Sequence, residues 1–348
     1  MSTESRPSVP VFLVGLPRSG TTLLTAMLSS HSRLASGPET QFFEKISKKE
    51  FANCLRDPHW PEQAVDAICQ LTLVGEPVVE LYGLSREDIQ SYLEKHPPSI
   101  KSMLESLTVQ FSSVQNKPRW IEKTPNHLKF VREIRANFPE APIIRIIRDP
   151  RDSAVSMTKL PHTSDDPLVN LYDCRMWYDV SDAFLESDPL HYTVRYEDLI
   201  ENPELTLRGI CDFIGEEYEN AMLHFAETSD QLRSDNEVWK KGTSKRLDPS
   251  RKAEWKKKLP PDLHAICSML FAEYLKKFNY EVVAEANATQ YVYKLDRSWV
   301  NAHLDEIVAD ADRGRRWLPT NDVLRASRNR LPYAKRRLER RFKAAFSN

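Results

Sequence analysis

The sequence predicts an α/β protein built on a P-loop-like, doubly wound parallel sheet flanked by helices, with a helical insertion and a basic C-terminal extension. Three observations support this prediction. A strand, a glycine-bounded loop and the start of a helix follow one another in Val11–Leu24, VFLVGLPRSGTTLL. The isoleucine-rich run Pro142–Ile147 is typical of a strand buried on both faces, as in a parallel sheet. Apolar runs alternate with amphipathic helix patterns, which favours right-handed β–α–β units.

Composition sets the broad class. The chain has 348 residues, of which 41% are hydrophobic and 28% charged, as in a soluble globular protein. The five cysteines are scattered without a CxxC or His/Cys cluster, so we expect reduced thiols, a cytoplasmic location and no metal. The N-terminus lacks a basic region before its apolar run, and no apolar run reaches about 18 residues. We therefore expect neither a signal peptide nor a membrane-spanning helix.

The first half of the chain predicts two strands and a long helical stretch. The first strand is Val11–Val14, and its helix is Thr21–Ser30, where apolar positions recur at i, i+3 and i+4. Residues 41–116 show helical spacing without a clear strand, so we interpret them as an insertion that presents a substrate-facing surface. A second strand is expected at Arg119–Glu122.

The second half continues the alternation. Thr124 or Asn126 is a candidate cap for a helix that runs to Asn137. After the strand Pro142–Ile147, Asp149 as N-cap with Pro150 at the first helical position predicts a helix through Met157. A fourth strand is expected at His191–Arg195, followed by a helical segment ending near Ile214-Gly215 and a last helix at about 262–278. The predicted domains are a flexible start at 1–9, the main domain at 10–280 and an extension at 281–348.

Ligands of such sheets bind outside the carboxyl ends of the strands. Four polar side chains follow predicted strands directly: Arg18, Lys123, Arg148 and Tyr196. We therefore expect them to share one edge of the sheet.

The loop after the first strand has the composition of an anion cradle. Gly15 and Gly20 permit close backbone approach, and the following helix start offers unsatisfied N–H groups. The hydroxyls of Ser19, Thr21 and Thr22 add hydrogen-bond donors, and Arg18 adds a permanent cation. The spacing of the glycines matches the P-loop, but Thr21 stands where that motif has lysine. This substitution argues against transfer of the ATP γ-phosphoryl group.

A second cluster pairs Arg148 with Ser156, eight residues later. If Pro150 opens a helix, Ser156 lies two turns into it and can share a phosphate with Arg148. Arg151 is interpreted as a surface charge.

The two segments together resemble the sulfotransferases that use 3′-phosphoadenosine 5′-phosphosulfate. Pro17–Leu24 (PRSGTTLL) resembles the 5′-phosphosulfate loop of that family, and Ile146–Ser156 (IIRDPRDSAVS) resembles its 3′-phosphate element. The similarity covers about residues 10–280 and is greatest to the tyrosylprotein, glycan-type and bacterial members. It implies a P-loop-like fold, the phosphosulfate donor, a hydroxyl acceptor and no metal.

The resemblance also implies roles for individual residues. Arg18 would contact the sulfonate and the 5′-phosphate, and Ser19, Gly20, Thr21 and Thr22 would hold the 5′-phosphate. Arg148 and Ser156 would hold the 3′-phosphate, with Tyr196, in VRYEDL, near the nucleotide.

Two further residues match catalytic positions of the family. Glu39, in GPETQ, lies 21 residues after Arg18, as does the general-base glutamate of the tyrosylprotein enzymes. Lys123, in EKTP, resembles the lysine that stabilises the bridging oxygen. Sulfuryl transfer requires such a base for the acceptor and cations at the sulfonate and leaving group.

The sequence departs from the family pattern in places. The cytosolic small-molecule enzymes use a histidine base, but His31 and His127 do not lie at its position and are interpreted as surface or cap residues. Pro38 stands where the tyrosylprotein motif has glutamate. The tyrosylprotein enzymes also sit behind a membrane anchor, which is not expected here, and this weakens a protein tyrosine as acceptor. We therefore expect a carbohydrate, lipid-linked glycan or other metabolite. In a basic loop, weak nucleotide-binding candidates are Lys241, Gly242, Ser244 and Lys245.

The C-terminal segment from Arg313 to Asn348 holds 12 Lys/Arg against 2 Asp/Glu, a net charge of +10. A solvated tail, peripheral membrane contact, an acidic partner and an oligomerisation arm are alternatives that the sequence leaves open. Nucleic acid is not an expected partner, because no recognised nucleic-acid fold accompanies the charge. Two alternative functions also stay open: a P-loop nucleotide kinase or NTPase requiring Mg²⁺, and a non-catalytic nucleotide-binding module.

Overall fold

The structure is a computed structural model that describes residues 9–160, 163–164, 167–225, 252–259, 264, 267–268 and 271–283. Predictions for residues 1–8, for Lys241, Gly242, Ser244 and Lys245, for six of the residues in 262–278 and for the basic tail lie outside the described residues. The described residues fall into two compact units. The first draws on Met1–Arg148 and Val180–Lys252, and the second on Asp149–Asp179 and Ala253–Asn348.

The described strands lie in the first unit. In chain order they are β1 (Val11–Gly15), β2 (Leu34–Ser36), β3 (Thr72–Leu73), β4 (Glu76–Pro77), β5 (Arg119–Lys123), β6 (Ile143–Ile147) and β7 (His191–Arg195). Within the described ranges, five of these strands form one parallel sheet in the spatial order β2-β5-β1-β6-β7. The chain adds β2 and β5 on one side of β1 and then β6 and β7 on the other. This order confirms the doubly wound parallel sheet and places its switch point between β1 and β6.

The described helices of at least four residues follow in chain order. They are α1 (Thr21–Ser29), α2 (Phe42–Lys45), α3 (Lys48–Arg56), α4 (Glu62–Cys69), α5 (Val78–Leu81), α6 (Arg86–Leu93), α7 (Ile100–Val114), α8 (Val131–Asn137), α9 (Pro150–Met157), α10 (Pro167–Leu185), α11 (Tyr196–Glu201), α12 (Pro203–Ile214) and α13 (Trp255–Lys258). A further helix covers Ala272–Lys277, and 3₁₀ turns cover Pro125–Phe130 and Asn220–Leu223. The predicted sequence of strands and helices is therefore largely confirmed.

Both faces of the sheet are covered by apolar side chains. On one face Leu13, Ile144 and Val194 join a buried cluster with residues of α1, α11 and α12. On the other, the rings of Phe12, Trp120 and Phe138 pack with centroids 5.0 to 5.9 Å apart. Alternate residues of β1 point to opposite faces, which explains why its whole apolar run is buried.

Between residues 34 and 124 the structure differs from the sequence prediction in three details. β2 was not expected, because Leu34–Ser36 is only three residues long and carries no apolar run. The stretch 41–116 is mainly helical as predicted, but it contains the antiparallel pair β3 and β4. Thr124 precedes a 3₁₀ turn, and its side chain does not cap that turn.

The second unit includes α9, whose start was predicted correctly. Asp149 accepts a hydrogen bond from the Arg151 N–H at 3.0 Å, and Pro150 occupies the first turn. Arg151 was wrongly interpreted as a surface charge. It is fully buried, donates two hydrogen bonds to the Asp149 carboxylate and lies 3.8 Å from the centroid of the Trp255 ring.

All five cysteines are described and form no disulfide. None of the described helices combines the length and apolarity needed to cross a membrane. Among the described residues, no group of three or more His, Cys, Asp or Glu side chains is arranged to hold a metal ion.

Candidate active site

The loop after β1 closes on itself through one serine. Both the backbone N–H and the hydroxyl of Ser19 donate to the Leu16 carbonyl, at 3.1 and 2.7 Å. Arg18 adopts the left-handed conformation, with φ 68°, which non-glycine residues rarely adopt. The loop is therefore a tight turn held by its own hydrogen bonds.

The two glycines of this loop are required by close packing. A Cβ on Gly15 would lie 2.6 Å from the Ile146 carbonyl oxygen of β6. A Cβ on Gly20 would lie 2.5 Å from the Tyr196 ring, and Gly20 also has φ +100°. The loop thus packs directly against β6, which lies across the switch point from β1, and against Tyr196, which follows β7.

The start of α1 is suited to an anion. Its N-cap residue Gly20 supplies no side-chain hydrogen bond, and Thr21 and Thr22 occupy the first turn. The N–H groups of a first turn have no partner within the helix and carry a partial positive charge. Hydroxyl-bearing residues at this position add potential donors to a phosphate.

Arg148 follows β6 and joins the segments after β1 and β7. Its Nη1 donates to the Arg18 carbonyl at 3.3 Å, and its Cζ lies 4.7 Å from the centroid of the Tyr196 ring. Arg148 and Tyr196 are both largely buried. Arg18, Arg148 and Tyr196, which the sequence placed at one sheet edge, are therefore brought together.

Ser156 lies in α9, within the second unit, and is half-buried. It occupies the second turn after Pro150, as its spacing predicted. Its role beside Arg148 stays a prediction based on the sequence motif.

Glu39 and Lys123 form a buried ion pair. Lys123 ends β5, and its Nζ donates to the Glu39 Oε1 at 2.9 Å across 84 positions of sequence. Lys123 is 1% exposed and Glu39 7% exposed. The second carboxylate oxygen of Glu39 accepts a hydrogen bond from the Gln41 side chain at 2.9 Å. A carboxylate and an ammonium group are thus held together at the carboxyl end of a sheet strand.

The loop that carries Glu39 is supported by a tyrosine from the insertion. The Tyr82 hydroxyl donates to the Pro38 carbonyl at 2.8 Å, and its ring occupies the space a side chain on Gly37 would need. Burial, together with the charges of Glu122 and Glu39, raises the pKa of Tyr82 well above its ordinary value. Tyr82 is therefore a neutral hydrogen-bond donor at physiological pH.

Sequence reasoning missed a polar cluster beneath this loop. Glu122 is fully buried in β5, and its carboxylate accepts hydrogen bonds from Thr40, Thr124 and His127 at 2.7 to 2.8 Å. The expectation that His127 and His31 lie at the surface was wrong, because both are buried. His127 accepts from the N–H of Phe43 in the first turn of α2, as a cap residue does, and His31 is bonded to the Glu217 carbonyl. The available signal was the motif Glu122-Lys123-Thr124-Pro125-Asn126-His127, which places three of these side chains around Lys123.

The family model described as "Sulfotransferase family" matches residues 10–220 of this chain. Protein-tyrosine sulfotransferase A of Caenorhabditis elegans is 23% identical over 347 residues, which cover 92% of this chain and 82% of that protein. Protein-tyrosine sulfotransferase 1 of Danio rerio is 26% identical, over 62% of this chain and 56% of its own length. For four of the curated relatives, the aligned part covers 28% to 56% of the relative's own length.

The fold also matches a solved structure. The sulfotransferase domain of the Synechococcus PCC 7002 olefin synthase superimposes with a TM-score of 0.55 at 22% identity. The match covers 81% of this chain and 98% of that domain. The parallel sheet and its flanking helices are thus shared with a known sulfotransferase fold.

Proposed function

Because this chain belongs to the sulfotransferase family, we propose that it transfers a sulfonate group from 3′-phosphoadenosine 5′-phosphosulfate to an acceptor hydroxyl. The observation that carries the proposal is the buried Glu39–Lys123 pair, with 2.9 Å between Oε1 and Nζ. The pair places a carboxylate that can act as a base beside an ammonium cation. Both lie at the sheet edge where ligands of such folds bind. Family membership favours this reaction over the nucleotide kinase and the non-catalytic module.

The donor half of the proposal depends on the loop after β1 and on Arg148. The first turn of α1, with Gly20, Thr21 and Thr22, supports binding of the 5′-phosphate, with Ser19 fixing the turn. Arg18 is the proposed contact to the sulfonate. Arg148, held by the Arg18 carbonyl and stacked on Tyr196, is proposed to bind the 3′-phosphate. Ser156 is its proposed partner on the basis of the sequence motif alone.

The proposed chemistry is a single in-line displacement. The acceptor oxygen forms a bond to sulfur while the bond between sulfur and the 5′-phosphate oxygen breaks, and adenosine 3′,5′-bisphosphate leaves. Glu39 takes the proton of the acceptor hydroxyl. Lys123 and Arg18 stabilise the negative charge that develops on the transferred group and on the leaving oxygen. The residues account for each proton and charge without a metal.

The ion pair bears on the order of events. Lys123 Nζ donates to the Glu39 Oε1 at 2.9 Å. An anionic donor competes with the carboxylate for the same ammonium group, so donor binding weakens the bond that occupies the base. We propose that Glu39 accepts a proton more readily once the donor has bound.

For the acceptor we propose a carbohydrate, a lipid-linked glycan or another small hydroxyl metabolite. The tyrosylprotein enzymes among the relatives act on protein tyrosine by name, so a tyrosine peptide belongs in the same screen. Residues 41–116 are the proposed acceptor-facing region.

Two measurements test the proposal. Calorimetric titration with adenosine 3′,5′-bisphosphate, 5′-AMP and ATP-Mg²⁺ should show tightest binding of the bisphosphate, without a metal requirement. Transfer of ³⁵S-labelled sulfonate should then be measured on a panel of sugars, glycolipids, phenols and tyrosine peptides. Preferential binding of ATP-Mg²⁺, with no labelled product from any acceptor, would overturn the proposal.

A further inference from the structure

We propose that Glu122 is a positioning residue for the reaction: its buried carboxylate fixes the loop that carries Glu39 against the strand that carries Lys123. The inference rests on the proposed function, since it concerns the geometry of the proposed base. It assigns a role to the Glu122, Thr40, Thr124 and His127 cluster, which we call the Glu122 hub.

The hub links two segments far apart in sequence. Glu122 precedes Lys123 in β5, and Thr40 follows Glu39 in the loop before α2. The Thr40 hydroxyl donates to the Glu122 Oε1 at 2.8 Å across 82 positions of sequence. The bond therefore joins Thr40, the neighbour of Glu39, to Glu122, the neighbour of Lys123. It helps to set the distance between the proposed base and the proposed cation.

Each side chain that donates to Glu122 also accepts from one backbone amide of the loop. The N–H of Gln41 donates to the Thr124 Oγ1 at 3.3 Å. The N–H of Phe42 donates to the Thr40 Oγ1 at 3.3 Å, and that of Phe43 to the His127 Nε2 at 3.2 Å. Three successive amides are thus held by three side chains that share one carboxylate.

These amides would otherwise lack partners. Residues 41 to 43 include the N-cap and the first two positions of α2, where N–H groups have no acceptor within the helix. Gln41 is in the left-handed conformation, with φ 56°. A buried amide without a partner costs about 1–3 kcal/mol. The hub therefore stabilises a loop shape that the local backbone does not favour by itself.

The hydrogen bonds also fix the state of the hub. Because the His127 Nε2 accepts from an amide, its Nδ1 carries the proton that is donated to the Glu122 Oε2 at 2.8 Å. Burial alone would raise the pKa of Glu122. Its interaction with the Nδ1–H side of the neutral His127 ring, and the hydrogen bonds from His127, Thr124 and Thr40, outweigh that effect and lower the pKa. Glu122 is thus a carboxylate whose acceptor capacity is used within the cluster.

The role is one of positioning because Glu122 contacts the loop and not the reacting atoms. Its contacts hold residues 40 to 43, and Glu39 and Lys123 form their own bond beside it. Loss of the hub is expected to change the placement of the base more than the binding of the donor.

The experiment compares matched threonine variants in the full-length protein. Thr40→Val removes the hydroxyl with little change of shape, and Thr40→Ser keeps it. Thr108→Val is the control, because Thr108 is also buried and donates to a helix carbonyl, that of Leu104. We expect Thr40→Val to lower kcat at least tenfold with the donor KM within about twofold of the parent, and Thr40→Ser and Thr108→Val to stay near the parent.

Hydrogen–deuterium exchange supplies a readout that needs no acceptor. Amide exchange of Gln41, Phe42 and Phe43 should be at least tenfold faster in Thr40→Val and in Glu122→Gln, and unchanged in Thr108→Val. If Thr40→Val loses its cooperative thermal transition, Thr124→Val is used in its place. Normal exchange at these amides, or faster exchange with normal kcat, would overturn the inference. Absence of sulfonate transfer by the parent protein would instead overturn the proposed function, and the exchange data would still decide whether the hub holds the loop.

Discussion

The guanidinium group of Arg148 stacks on the ring of Tyr196, with its Cζ 4.7 Å from the ring centroid. The same guanidinium donates to the carbonyl of Arg18, so a cation after β6 is oriented by the residue after β7 and by the loop after β1. A cation over an aromatic face contributes about 0.5–2 kcal/mol, more when the pair is withdrawn from water. Contacts within the protein thus orient the arginine, and such pre-organisation reduces the entropy lost when a ligand binds.

Removal of Arg148 should weaken binding of a 3′-phosphorylated nucleotide specifically. A hydrogen bond to a charged group contributes about 1.5–3 kcal/mol, so Arg148→Ala should raise the Kd of adenosine 3′,5′-bisphosphate by at least tenfold. Binding of 5′-AMP should change by less than about twofold. The control is Arg208→Ala, which removes an exposed ion pair with Glu204. Equal losses for both nucleotides, measured by calorimetry, would contradict the assignment to the 3′-phosphate.

Glu39→Gln should separate catalysis from binding. The amide keeps the shape of the side chain but cannot accept the acceptor's proton at neutral pH. We expect kcat to fall about 10²–10⁴-fold, as for loss of a general base. The Kd of adenosine 3′,5′-bisphosphate should stay within a few-fold of the parent value. Turnover at the parent rate would remove Glu39 as the base.

The Glu39–Lys123 pair should show strong thermodynamic coupling. Removal of one partner of a buried ion pair costs about 3–5 kcal/mol, because the other charge loses its partner in a dry environment. Lys123→Met should therefore destabilise the protein markedly in urea denaturation, and the double variant Glu39→Gln/Lys123→Met should recover part of the loss. Additive effects of the two substitutions would show that the bond at 2.9 Å contributes little to stability.

Gly20→Ala should destabilise the protein more than Gly83→Ala. Both glycines have positive φ, 100° and 66°, so alanine introduces backbone strain at each position. A Cβ on Gly20 would also meet the Tyr196 ring at 2.5 Å, whereas one on Gly83 would meet nothing within 4 Å. We expect an additional loss of about 1–3 kcal/mol for Gly20→Ala. Equal unfolding free energies for the two variants would show that the loop moves away from Tyr196 without cost.

Glu122 should make stability depend on pH in acid. A carboxyl whose pKa is lowered by folding adds stability above its unfolded pKa, and that stability is lost as the pH falls through the folded-state pKa. The ordinary pKa is 4.5, and the folded value is lower. The unfolding free energy of the parent should therefore fall below about pH 4.5, and that of Glu122→Gln should fall less steeply. Exposed Glu80→Gln is the control, and parallel curves for parent and Glu122→Gln would contradict the prediction.

Much of the fold could be predicted from apolar runs and from the residues at which strands end and helices begin. β1, β5, β6 and β7 were predicted within a residue or two, because each is a run bounded by proline, glycine or charged residues. The start of α9 follows from Asp149 and Pro150. β2 could not be predicted, since its three residues are defined by pairing with β5 and by no local pattern.

The site could be predicted where its residues lie in motifs, and not where it depends on contacts across the chain. Arg18, Arg148 and Tyr196 were placed at one sheet edge because each follows a strand. The hub was missed although three of its side chains lie in one motif, because Glu122 is a charged residue inside a buried strand and its partner Thr40 lies 82 positions away. A buried carboxylate of this kind is recognised only when the side chains that satisfy it are seen together.

Since three side chains of the Glu122 hub depend on the same carboxylate, their substitutions should show strong epistasis. Once Glu122 is replaced, Thr40, Thr124 and His127 each lose an acceptor, and further changes among them should cost little more. Conversely, loss of the hydroxyl or imidazole of any one of them should be costly while Glu122 and the other two are kept. If the insertion contacts the acceptor, as proposed above, substitutions that change the acceptor preference should be sought among insertion residues outside the Glu122 hub and its loop.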